Sequence, residues 1–242
     1  MILISIIIPC YNEERRLQKN LQIKIDYLKK QKYDWEMILV NDGSTDDTRK
    51  IITDYIAKNK NLNIRLVDVK PNQGKGNAVK AGMLSARGSW QLFTDADNST
   101  PMPEIEKLFV YKNEFDIIIA SRYLAQSKIA QKQTLMRRFI SRAGNLFIRF
   151  FLGLNFLDTQ CGFKLFTAES AKKIFSKCLI KRWGFDLEIL TLGKKLNFKI
   201  KEVAVTWSDT SDSKLRPVKA ASQVFGEAIK IKYNILTNKY QI

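Results

Sequence analysis

The sequence predicts an α/β fold: a mostly parallel sheet flanked on both faces by helices. Three observations carry that expectation. Strand-like runs alternate with helix-like stretches from residue 2 to about residue 121. The strand-like runs are apolar almost without a break, the mark of strands covered on both faces. Several of them end in clusters of Asp, Asn, Gly and Ser, and in open parallel sheets ligands bind outside the carboxyl ends of the strands.

Taken in order, ILISIIIP (Ile2–Pro9) is a β-branched run and the first strand. Leu17, Leu21, Ile25 and Leu28 then recur at helical spacing. WEMILVND (Trp35–Asp42) is the second strand, and a helix beginning at Asp46 carries Ile51, Ile52, Tyr55 and Ile56. LNIRLVDV (Leu62–Val69) is the third strand, followed by a helix entered through glycines, Gly74–Ala86. WQLFTD and FDIIIAS (Phe115–Ser121) are the fourth and fifth strands. After Tyr123 the pattern changes. Thr134–Leu157 is amphipathic, Asp158–Thr167 is compact, helical patterns run over Glu169–Phe175 and Phe185–Leu192, and Phe198–Trp207 is a strand. A basic helix over Pro217–Thr237 closes the chain. No repeat or Gly/Ser/Pro-rich linker interrupts it, so the expectation is one domain over 1–242, with 1–123 and 124–242 as two halves of it.

Composition narrows the chemistry. The chain has 242 residues, 45% hydrophobic and 11% aromatic, enough for a globular core. It carries 41 basic against 24 acidic residues, a net charge of +17, which points to a polyanionic partner: a phosphorylated small molecule, an anionic lipid surface or nucleic acid. Cys10, Cys161 and Cys178 are too few and too scattered for a disulfide framework and fit a reducing compartment. The start lacks a signal peptide's basic region, and no 18-residue apolar run is present to span a bilayer. There is no histidine, which excludes Ser-His-Asp and Cys-His catalysis and imidazole bases. The chemistry must run on carboxylates, cations, hydroxyls, backbone amides or a bound metal.

The strand ends supply such groups. The first ends at Pro9-Cys10-Tyr11-Asn12-Glu13, the second at Asn41-Asp42-Gly43-Ser44-Thr45-Asp46-Asp47, the third leads to Asn72-Gln73-Gly74-Lys75-Gly76, the fourth ends at Asp95-Ala96-Asp97-Asn98 and the fifth at Ser121-Arg122-Tyr123. A parallel sheet gathers all of them on one rim. Two carboxylates one residue apart, Asp95 and Asp97, suit a hard divalent ion such as Mg2+ or Mn2+, which takes oxygen ligands and leaves positions for phosphates. The alternatives are a solvated turn for Asp95 and Asp97, turn chemistry for Asp42, and helix capping for Asp46. Gly74-Lys75-Gly76 opens a helix whose amides can meet an anion, but it is neither a P-loop nor a dinucleotide fingerprint.

With these motifs in view, the chain resembles the family-2 glycosyltransferases of GT-A fold and, within them, the polyprenyl-phosphate glycosyltransferases of the dolichyl-phosphate β-glucosyltransferase type. PCYNEE, VNDGSTDDT, NQGKGNAVKAGM and DADNST carry the likeness in the first half. ASRY, RRFISRAGN, DTQCGFKLF, RWGFDLEIL and EVAVTWSDTSDSKL carry the more specific part of it. The resemblance implies inverting transfer of a sugar, glucose from UDP-glucose, to a polyprenyl phosphate with a divalent ion. It places Pro9, Tyr11, Glu13, Asp42, Lys75 and Asp95 at the nucleotide sugar, Asp97 with Asp95 at the metal, and Arg182, Trp183 and Asp186 at the sugar pocket. It also places Arg122, Arg137, Ser141 and Arg142 at the acceptor phosphate, Asp158 beside the acceptor, and Lys214 on a segment that folds over the donor. Asp97, Asp158 and Arg122 are the catalytic expectations.

A phosphate monoester is largely dianionic at neutral pH and needs cations more than a base. Asp158 is therefore left with two roles, base or orienting group. A basic amphipathic segment around Phe139–Leu154 and the basic final helix predict a peripheral protein on the cytoplasmic face of an anionic membrane. The alternatives are transfer to a glycan or protein hydroxyl and, more remotely, nucleic-acid binding, which charge alone supports.

Overall fold

The structure, a computed structural model, describes residues 2–129, 148–208 and 217–242, with the backbone alone for 217–221. Five of the first eight residues are isoleucine, and the strand they form, β1 (Ile4–Cys10), lies inside the sheet with neighbours on both sides. It pairs in parallel with β2 (Trp35–Asp42) and β4 (Trp90–Thr94), Ile4 standing opposite Trp35 and Trp90. β3 (Ile64–Val69) extends the parallel array beyond β2. On the other side come β7 (Phe163–Thr167), β5 (Ile117–Ser121) and β8 (Ile200–Ala204), giving the order β3-β2-β1-β4-β7-β5-β8. The expected α/β class with a mostly parallel sheet is what the chain forms.

Alternate residues face opposite sides of the sheet, and both sides are apolar. Ile7, Ile38, Val40, Phe93, Ile119 and Phe166 pack beneath α3 (Lys75–Ser85), α5 (Ala168–Phe175), α6 (Phe185–Lys195) and α7 (Pro217–Leu236). Ile6, Ile8, Met37, Leu39, Leu92 and Leu165 pack against α1 (Leu17–Leu28), α2 (Thr48–Lys58) and the short α4 (Ile105–Phe109). Unbroken apolar runs are thus explained by burial from two sides.

Three features depart from expectation. β7 lies in the compact stretch that carried no strand signal, and it runs antiparallel to both β4 and β5. Its signal is masked by Lys164, which is fully buried and ion-paired with Asp186 instead of facing solvent. The predicted strand over 198–207 divides at Val205 into β8 and β9 (Thr206–Trp207), and β9 pairs with β6 (Lys128–Ile129) in a second, two-stranded sheet. Helix α2 begins at Thr48 rather than at Asp46; Asp47 stands at its N-cap, and the Asp46 carboxylate, one residue further out, accepts the Thr48 N–H at 3.0 Å.

The insertion of β7 matters for the rim. One intervening strand puts the ends of β4 and β5 roughly 10 Å apart. Because β7 runs the other way, the segment leading into it, Asp158–Gly162, lies at the same edge as those two ends.

Candidate active site

Four loops at the carboxyl edge are fastened to one another before any ligand enters. Asn12 donates its N–H to Ser44 Oγ at 3.1 Å and accepts the Thr45 N–H at 2.9 Å, so the turn after β1 is tied to the turn after β2. Asp42, buried at the end of β2, accepts from the backbone of Gln73 (3.0 Å) and Gly74 (2.9 Å) and from Asn72 Nδ2 (2.8 Å). Burial raises its pKa against those bonds and the charge of Arg182. Gly74 takes a φ of +102° and packs against Lys181 and Arg182, which brings the loop before α6 onto the N-terminus of α3. That loop is held from the far side by α7: Gly184 donates its N–H to Glu227 Oε2 at 2.6 Å.

These loops enclose a cleft of about 400 Å3. Pro9, Tyr11, Glu13, Asp42, Lys75, Asp95, Asp97, Arg182 and Trp183 all line it, so residues drawn from β1, β2, α3, β4 and the 181–184 loop meet in one place. Cys10, Asn12 and Asn72, which the sequence placed in the strand-end clusters without giving them a role, line it too, as do Arg16 and Ala78, which it did not single out. Arg16 is the instructive omission. Its guanidinium pairs with Glu13 one turn earlier, and that spacing was the available signal.

The cleft is a patchwork of opposite charges. Lys75 Nζ lies 2.5 Å from Asp95 Oδ1 and within 5.6 Å of the Trp183 ring centre. Burial opposes its charged form, but Asp95, Asp186 and Asp97 outweigh burial and raise its pKa. Asp97 accepts the Ser99 N–H at 2.9 Å; against the effect of burial, that bond and the charges of Lys75 and Arg16 keep its carboxyl below the usual carboxylate range. Asp97 is therefore held ionised at the cleft, and Lys75 already stands against Asp95. Among the described residues no three acidic, cysteine or histidine side chains converge. A divalent ion here would take these two carboxylates and fill its remaining positions with diphosphate oxygens and water, a donor set that suits Mg2+ or Mn2+.

Gly162, in the turn before β7, lies directly under Asp95. A Cβ added there would stand 2.1 Å from Asp95 Oδ2. The atom displaced is the end of a flexible side chain, so Gly162→Ala should fold normally but move the carboxylate. The expected result is a loss of transfer activity of about tenfold or more with a melting temperature within a few degrees of wild type. Activity assays beside thermal melts check it.

Asp186 does not line the cleft. It lies beneath, ion-paired with Lys164, whose Nζ also donates to Cys161 O at 2.6 Å. Burial pushes the Asp186 pKa up, against the pull of Lys164 and Lys75. Arg122 and Asp158 also stand outside the cleft, bound to each other. Arg122 Nε donates to Asp158 Oδ2 at 2.7 Å, Nη2 to Oδ1 at 2.9 Å, and the Arg122 N–H to Oδ2 at 2.9 Å. The guanidinium lies 5.4 Å from the ring centres of both Tyr123 and Trp207. Of the two roles open to Asp158, this geometry favours orientation: its oxygens are committed, and Arg122 outweighs burial to hold its pKa down. Cys161 nearby is a free thiol pushed up to about 12 by burial, unsuited to nucleophilic work. Arg137, Ser141, Arg142 and Lys214 lie outside the described residues, as does most of the amphipathic segment.

The comparisons with known proteins concern the family and the fold. The model of Glycosyl transferase family 2 matches residues 5–175, and the chain belongs to that family: it is a glycosyltransferase. Its full length is similar to dolichyl-phosphate β-glucosyltransferases. That of Dictyostelium discoideum is 38% identical over a 252-residue alignment covering 100% of this chain and 77% of the relative. That of Mus musculus is 36% identical over 99% and 78%, and that of Saccharomyces cerevisiae 32% over 88% and 69%. The fold is that of glucosyl-3-phosphoglycerate synthase from Mycobacterium tuberculosis in a complex with Mn2+, UDP and glucosyl-3-phosphoglycerate. The TM-score is 0.68 at 19% identity, covering 95% of this chain and 79% of that one. The same enzyme with Mn2+, UDP-glucose and phosphoglyceric acid gives 0.67 at 18% identity over 95% and 79%. No helix among the described residues is long and apolar enough to cross a membrane.

Proposed function

We propose that the protein transfers glucose from UDP-glucose, with inversion, to a polyprenyl phosphate at an anionic membrane surface. The observation that carries this reading is the full-length likeness to dolichyl-phosphate β-glucosyltransferases. The cleft supports the donor half. Pro9, Tyr11, Glu13 and Asp42 hold base and ribose, Lys75 and Arg182 face the diphosphate, and Trp183 walls the sugar. Asp97 and Asp95 hold a Mg2+ or Mn2+ ion, which when bound neutralises the departing diphosphate. Asp97 is ionised and fixed by Ser99, and Lys75 stays charged beside Asp95.

The acceptor half rests on Arg122, fixed by Asp158, with Arg137, Ser141 and Arg142. A hydroxyl acceptor would need a base at this end of the sheet. There is no histidine, and Asp158 is bound to Arg122 through both oxygens. A phosphate arrives with its nucleophilic oxygen already ionised, which is why the phosphate reading is preferred. The net charge of +17 supports attraction to anionic lipid.

The test is direct. Radiolabelled UDP-glucose, a divalent ion and polyprenyl phosphate are incubated with the protein, and label is counted in the organic phase. Label should enter that phase and be released by mild acid, as a sugar phosphate is. Label that resists mild acid would mean a hydroxyl acceptor, and no transfer from UDP-glucose would remove the reading.

A further inference from the structure

Helix α1 turns its apolar stripe, Leu17, Leu21, Ile25 and Leu28, to the sheet, and Lys24 sits within that stripe. Its side chain is fully buried, and its ammonium has no hydrogen-bond partner among the described residues. One turn earlier on the same face, Asn20 donates from Nδ2 to the carbonyl of Ala96 at 2.8 Å. Ala96 is the residue between the two aspartates. Asn98, just beyond them, returns a hydrogen bond to the Asn20 carbonyl at 3.3 Å. This face of α1 is therefore the floor of the Asp95–Asp97 turn.

A buried ammonium without a hydrogen bond is costly and persists only where something compensates its charge. Three groups act on Lys24: Asp97, Asp95 and Cys10. Cys10 is not a counter-ion, because burial above all keeps its thiol neutral. The compensation comes from the two carboxylates. Burial pushes the Lys24 pKa down to about 8, against the pull of Asp97 and Asp95, so the group is still charged at neutral pH.

We infer that Lys24 is a positioning residue for the Asp95/Asp97 pair: an internal counter-charge beneath the turn that weakens the pair's hold on a divalent ion. The inference rests on the reading of Asp95 and Asp97 as metal ligands. A dication and Lys24 compete for the same two negative charges. Lys75 satisfies one carboxylate from within the cleft by direct contact, whereas Lys24 acts from below, through the field alone. A charge in this position stabilises the loop when no ion is bound. It also keeps the ion exchangeable, which suits a site that must release a nucleoside diphosphate after every turnover.

The test measures Mn2+ binding to the full chain, without and with UDP, from the free-ion electron paramagnetic resonance signal. Wild type is compared with Lys24→Met, close in shape and neutral, with Lys24→Gln, neutral and polar, and with Asp97→Asn. Both Lys24 variants should bind Mn2+ about tenfold more tightly than wild type. Without metal, Lys24→Met should melt no higher than wild type, since the two carboxylates lose the charge that compensates them. A role confined to packing would move the melting temperature and leave Mn2+ affinity where it was. If both Lys24 variants bind Mn2+ within about twofold of wild type while Asp97→Asn loses it, the inference falls and the metal assignment stands. If wild type retains no Mn2+ even with UDP, the metal assignment falls and this inference with it.

Discussion

Asp97→Asn should lower kcat/KM for the sugar nucleotide by about 100-fold or more while leaving the fold intact. The substitution keeps the shape of the side chain and its ability to accept the Ser99 N–H, so the turn after β4 should survive. What disappears is the negative charge, which the surroundings hold in place: Ser99, Lys75 and Arg16 keep that carboxyl ionised. If the charge serves a divalent ion, wild type should lose a comparable factor in excess chelator and recover with Mn2+ or Mg2+. The variant should recover little at any metal concentration. Asp95→Asn should be milder in its metal dependence, because Asp95 already neutralises Lys75. Thermal melts beside the assay separate lost chemistry from lost fold. Wild-type turnover by Asp97→Asn, or by thoroughly demetallated protein, would remove the metal from the mechanism.

The second large effect concerns stability. Asp158→Asn should cost about 3 kcal/mol, because it removes one partner of a buried ion pair and leaves the Arg122 guanidinium with little solvent to turn to. For a chain of this size that is a fall in melting temperature of roughly 6–12 °C. The loss should depend on pH in a defined direction. The folded-state pKa of Asp158 lies below its unfolded value, since Arg122 outweighs burial. On acidification the unfolded chain therefore takes up the proton first. The contribution of the pair is complete above the unfolded value, near 3.9, and is lost as pH falls through the lower folded value. Wild type and Asp158→Asn should differ most at neutral pH and converge in acid. A gap that stays constant from pH 7 to pH 3 would show that the carboxylate's charge is not what stabilises the wild type. Arg122→Lys should not substitute well, since a single ammonium cannot reproduce the two-pronged contact with Asp158.

Much of the cleft was readable because its residues stand at the ends of strands that announce themselves. Asp42, Asp95 and the turn after β1 each follow an apolar run, and a parallel sheet delivers such ends to one edge whatever the loops do. Lys24 and Lys164 were hidden for a common reason. A lysine in an apolar pattern ordinarily extends its stem and keeps its charge in water. Here the packing of α1 on the sheet, and of α6 over β7, closes that route. Nothing local to either residue distinguishes the two outcomes.

By itself the sequence determined the α/β alternation, the burial of the isoleucine-rich first strand on both faces, the exclusion of histidine chemistry and the edge at which the candidate site forms. These follow from the composition and period of single segments, which act over a few residues. Only the tertiary structure decided that β7 enters backwards between β4 and β5, that Asp158 belongs to Arg122 and Asp186 to Lys164, and that an ammonium lies under the acidic turn. Strand order and charge pairing are set by which distant segments share a low-dielectric interior. A side chain's pattern in sequence carries no record of which partner will meet it there.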